Sequence, residues 1–159
     1  MTKEEKMAQL LRYFMLGLCI FLFQSQVCLA AEESTPEQAK AMVKKAIAYY
    51  SANGREKTMA MVNDTNGMFN ERDLYIVMYD LTGTVIAHGA NKKLVGKNII
   101  ELRDVNGVLI MQEHLAAAKG KNDGWVNYKW PHPKKNELGN KSMYNEIVDD
   151  VMFACGIYR

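Results

Sequence analysis

Beyond residue 34 the apolar positions first recur at helical spacing and then switch to strand patterns. In STPEQAKAMVKKAIAYYSANG, Ala39, Met42, Val43, Ala46, Ile47 and Tyr50 share one stripe. Ser34 or Thr35 caps its start, Pro36 and Glu37 fall in the first turn, and Asn53-Gly54 stops it. The pattern predicts an amphipathic helix of about five turns. A second helical stretch, REKTMAMVNDTNG, closes at Asn66-Gly67. The period then changes: DLYIVMYD reads as a continuously apolar strand, LTG as a turn and TVIAHG as a second strand, together a hairpin. LVGKNIIELRDVNG reads as an irregular crossover in which Asp104 caps the next helix, GVLIMQEHLAAAKGK. Three further strands, GWVNYKWP, KSMYNEIVDD and DVMFACGIY, are joined by short turns, one of them rich in Pro, Lys, Asn and Gly. This order predicts an α+β fold with an antiparallel sheet of about five strands and the long N-terminal helix on one face. The other face then cups a pocket under the crossover.

The start of the chain has a different pattern. Lys3, Lys6 and Arg12 precede an unbroken apolar run from Tyr13 to Phe23, followed by polar Gln24 to Gln26 and the small-residue stretch Cys28-Leu29-Ala30. That is the layout of a secretory signal, and a run of about 11 residues is too short to cross a bilayer comfortably. The expectation is a cleaved signal peptide over residues 1–30 and a single domain over 31–159, located in the periplasm or secreted; an uncleaved anchor is the other reading. Cys19 and Cys28 follow Leu18 and Val27, a poor context for a lipid anchor.

Cleavage removes two of the three cysteines, so Cys155 has no partner for an internal disulfide and reads as a small buried residue. A formal charge of +2 with acidic and basic residues interspersed gives no nucleic-acid footprint. His88, His114 and His132 lie far apart, so no zinc site is expected, and His114 is placed on a helix surface. Asp149-Asp150 reads as a turn rather than a calcium loop, and the methionines as packing rather than a copper site. No CxxCH, G-x-S-x-G, P-loop or dinucleotide fingerprint occurs. Neither an enzyme nor a bound cofactor is expected.

Several segments in order carry a resemblance: DLYIVMYDLTGTVIAHG, LVGKN, LRDVNG, GWVNYKW, KSMYNEIVDD and a terminal CGIY. From about residue 35 onward the sequence resembles the single Cache domain, a PAS-like extracellular sensor module of bacterial chemoreceptors and histidine kinases. The resemblance implies a periplasmic domain that binds small molecules, often short carboxylates, without transforming them, in signal transduction or chemotaxis. Signalling members continue into a membrane helix and an output domain, whereas this sequence stops at Arg159. A membrane receptor or transporter is therefore expected as partner, alongside a small organic acid as ligand.

Alternation in GWVNYKW puts Val126, Tyr128 and Trp130 on one face. A carboxylate in an apolar pocket needs donors, which the Tyr128 hydroxyl, the Trp130 indole and the Lys141 amine supply. The family pattern of a pocket tyrosine in this strand and a lysine in the next supports Tyr128 and Lys141. Tyr75 and His88 match strand positions that line the pocket in similar domains. Lys141 is expected to reach the surface and to matter little for folding. Arg103, beside Asp104, reads as a surface ion pair or as a further anion ligand. The competing function is a pocketless interaction module that forms a homodimer through the stripe of the N-terminal helix.

Overall fold

A computed structural model describes residues 34–159 apart from Lys134 and Asn136; the expected signal segment lies outside the described residues. Helix α1, Pro36–Asn53, starts in a reciprocal cap: the Thr35 hydroxyl accepts from the Gln38 amide at 3.3 Å, and the Gln38 side chain accepts from the Thr35 amide at 2.9 Å. Gly54, at φ 80°, ends it and leads directly into α2, Arg55–Asn63. The second helix stops three residues before the expected Asn66, because Asp64 turns its carboxylate onto the Asn66 amide at 3.0 Å.

Among the described residues the sheet has six strands, the five expected and one more. They are β1 (Asn70–Glu71), β2 (Leu74–Asp80), β3 (Val85–His88), β4 (Trp125–Pro131), β5 (Leu138–Val148) and β6 (Val151–Tyr158). The additional strand is the two-residue β1, which extends the edge formed by β3; both pair with β2, and the remaining order is β2-β6-β5-β4, antiparallel throughout. Asp149 and Asp150 form the turn from β5 to β6, with Asp149 at φ 54°. Between β3 and β4 runs the crossover, which ends in α3, Ile110–Ala118.

Asp104 does not cap α3, whose first flanking residue is Leu109. Its carboxylate instead accepts from the Asn106, Val108 and Lys129 amides, each at 2.9 Å, and so fastens the crossover to β4. Arg103 likewise joins none of the ion pairs among the described residues: it donates to the Gly107 carbonyl at 2.8 Å.

Both central strands are covered on both sides, which is why β2 and β6 read as unbroken apolar runs. Leu74, Ile76 and Met78 of β2 and Phe153, Cys155 and Ile157 of β6 pack on Ala39, Met42, Val43 and Ala46 of α1. Cys155 is buried, its sulfur 3.7 Å from that of Met42. The helix stripe is thus taken up by the protein's own sheet. Tyr75, Val77 and Tyr79 point to the other face, under the crossover and α3.

Candidate ligand-binding site

The strand registers bring the expected residues together. Tyr128, Lys141 and Tyr158 lie in one row across β4, β5 and β6, and Val126, Tyr128 and Met143 share the crossover face with Tyr75. From β5, Lys141 must cross β6 to reach β2, and Gly156 makes the passage. A Cβ there would stand 3.0 Å from the Lys141 Cε and 2.7 Å from the Ser142 carbonyl.

Lys141 is 2% exposed, which corrects the expectation of a surface-reaching lysine. Its amine donates to the Tyr75 hydroxyl and, at 3.3 Å, to the Tyr158 hydroxyl. It also stands 3.9 Å from the centroid of the Tyr75 ring and 4.6 Å from that of Tyr158. Burial lowers its pKa to about 7. Lys141 takes part in none of the ion pairs among the described residues.

His88 ends β3 and stacks on Tyr75 at 5.2 Å between centroids. Its Nδ1 accepts from the Ala90 and Asn91 amides at 3.1 and 3.0 Å, so the neutral ring carries its proton on Nε2. Burial, and then the charge of Lys141, lower its pKa to about 4. Tyr128 donates to the Met143 sulfur at 3.1 Å, and its ring meets half-buried Trp130 edge-on at 5.9 Å.

Tyr75, His88, Tyr128 and Trp130 all line one narrow cavity, and Lys141 sits directly behind Tyr75. Leu94, Ile99 and Ile110 of the crossover roof it. Its volume of about 10 Å³ holds roughly one water, so any organic ligand must push the roof or the rings outward.

Sequence reasoning passed over Tyr158, Gly156 and Tyr79. The signal was period-two alternation, which places Gly156 and Tyr158 with Ala154 and places Tyr79 with Tyr75. His114 was misplaced: it is fully buried on the inner side of α3 rather than on the helix surface.

A 77-residue stretch is 34% identical to the methyl-accepting chemotaxis protein McpP of Pseudomonas putida, covering 48% of this chain and 14% of that receptor. The chain therefore spans only a small part of that relative. A methyl-accepting chemotaxis protein structure from Vibrio parahaemolyticus aligns with a TM-score of 0.68 at 25% identity, over 77% of this chain and 86% of the other. A Cache chemosensory domain solved for the structural basis of its carboxylic acid recognition aligns with a TM-score of 0.59 over the same shares, 77% and 86%; at 24% identity this likeness shows the fold. The family model for Single Cache domain 2 matches residues 25–156. Most of the chain falls inside that match, and it belongs to the single Cache family of sensor domains.

Proposed function

We propose that this domain is exported through its N-terminal signal and binds a short carboxylate in the cavity under the crossover, acting through a membrane receptor or transporter in signal transduction. One observation carries the reading: the Lys141 amine is buried beside the cavity, outside any ion pair among the described residues. An unpaired buried charge costs several kcal/mol, and an anionic ligand supplies the missing partner. The Tyr75 hydroxyl and the His88 Nε2–H add neutral donors, which suits an acceptor-only carboxylate, while the Tyr158 hydroxyl spends its proton on the Pro131 carbonyl at 2.9 Å. Tyr128 and Trp130 give an apolar wall for a short carbon chain. The narrow cavity favours the smallest acids, since each added carbon requires further displacement of Leu94, Ile99 and Ile110. The carboxylic acid recognition of the similar Cache chemosensory domain agrees with this choice.

The test is a thermal-shift and calorimetric screen of residues 31–159 against short mono- and dicarboxylates, amino acids and amines. A ligand at about 100 times its dissociation constant should stabilise by about 2.7 kcal/mol, a shift of several degrees. The shift should vanish in Lys141→Met. A folded protein that responds to no acid sinks the proposal.

A further inference from the structure

We infer that His114, held by Asn145, is a second polar pole of the cavity, which accepts a hydrogen bond from a hydroxyl at the far end of a short carboxylate. The inference rests on the carboxylate reading above and adds to it the class of acid preferred.

The hydrogen bonds determine the tautomer. The Asn145 amide nitrogen donates to the Gly124 and Met143 carbonyls, both at 3.1 Å, so its oxygen is the atom that faces His114 Nδ1. Nδ1 must then carry the proton, and the lone pair sits on Nε2. That Nε2 is turned away from Asn145, is fully buried, and has no hydrogen-bond partner among the described residues. Buried polar atoms without partners are rare and costly, and a site that leaves one open favours whatever supplies the missing donor.

The ring packs 5.9 Å from Tyr79 and 5.3 Å from Tyr128, two rings that line the cavity. His114 stands behind this wall rather than in it, so a ligand reaches Nε2 by displacing Tyr128, whose hydroxyl donates, among the described residues, to the weak acceptor sulfur of Met143. Burial is the main reason, with the charge of Lys141 adding to it, that the imidazole stays an uncharged acceptor. A second carboxylate has no proton to donate to Nε2, whereas a neutral hydroxyl has one. Position along the chain follows from β2. Lys141 meets Tyr75 while His114 meets Tyr79, four residues on, roughly 13 Å of strand. A hydroxyl on the carbon next to the carboxylate stays at the Lys141 end, but a terminal one extends toward His114.

The experiment is calorimetry on the protein with matched acids: butyrate, 2-hydroxybutyrate and 4-hydroxybutyrate. The terminal hydroxyl should tighten binding roughly tenfold over butyrate, and the 2-hydroxyl should give no comparable gain. His114→Phe should erase the preference while still binding butyrate, and His114→Gln, which keeps an acceptor, should retain part of it. Equal affinity of the wild type for butyrate and 4-hydroxybutyrate overturns the inference without recourse to any variant. So does a preference that survives in His114→Phe. Butyrate binding without hydroxyl preference removes this inference alone, whereas binding of no acid removes the carboxylate reading and this inference together.

Discussion

The two faces of the sheet are built from the same strands and follow opposite rules. On the α1 face, Ile76, Met78, Phe153 and Cys155 meet Val43 and Ala46, each at 0% exposure, and charge is kept to the rim, as in the exposed Lys44–Glu146 pair at 2.7 Å. On the crossover face the same strands bury Lys141, Asn145, Tyr75 and Tyr158, with His88 and His114 brought in from β3 and α3. The first face contributes stability through apolar area and close packing. Polar groups on the second impose desolvation costs that no packing argument requires. Local departures of this kind are where function is expected to reside.

The largest effect should come from the α1 face. Phe153 is fully buried and meets Tyr50 edge-on at 5.3 Å, so Phe153→Ala should cost about 3–5 kcal/mol in a denaturant titration. A loss below about 1 kcal/mol would mean that this face is not the stabilising one.

Lys141→Met should act in the opposite direction. Burial lowers the lysine pKa from its ordinary value of 10.5 to about 7, so folding disfavours the charged form. The penalty is complete below pH 7 and fades as pH rises toward 10.5, because between those values the unfolded chain binds the extra proton. Near neutral pH the methionine variant should therefore be more stable, on the order of a few kcal/mol, while losing carboxylate binding. The difference between variant and wild type should shrink as pH is raised from 7 to 10. A less stable variant would show that Lys141 is structural, and the contrast between the faces would collapse.

Much of this division was legible in the sequence. The stripe on α1, the alternation of β4 and the cap at Thr35 are local signals, and local physics settled them. The depth of Lys141 was not legible, because it depends on Gly156, fifteen residues away in sequence and adjacent only through the β5–β6 register. His114 failed for the same reason: its burial depends on Asn145 of β5, thirty-one residues on. Asp104 was recognised as a capping residue, but its three amide partners include Lys129, which only the tertiary fold brings near. Short-range patterns assigned residues to faces, and long-range register decided which polar groups became buried.

Gly156→Ala tests that register dependence with a smaller expected loss. The added methyl meets the Ser142 carbonyl at 2.7 Å and the Lys141 Cε at 3.0 Å. Overpacking of this kind costs about 1–3 kcal/mol. The lysine should also be displaced from Tyr75, so acid affinity should fall together with stability. Unchanged affinity would show that Lys141 reaches the ligand by another path.

The smallest effect, and the sharpest test of the polar face, is the pH dependence of binding. With its pKa near 7, Lys141 is charged below that value and must take up a proton to pair with a carboxylate above it. Affinity should hold from pH 5.5 to 6.5 and then fall, by up to about tenfold per pH unit, until the raised pKa of the complex is passed. His88 and His114, both near 4, stay neutral across this window and add no slope. Calorimetry in buffers of differing ionisation enthalpy should register proton uptake at pH 8 and none at pH 6. A flat profile would mean that the amine acts as a neutral donor beside the two tyrosines, and the face would be polar without being charged.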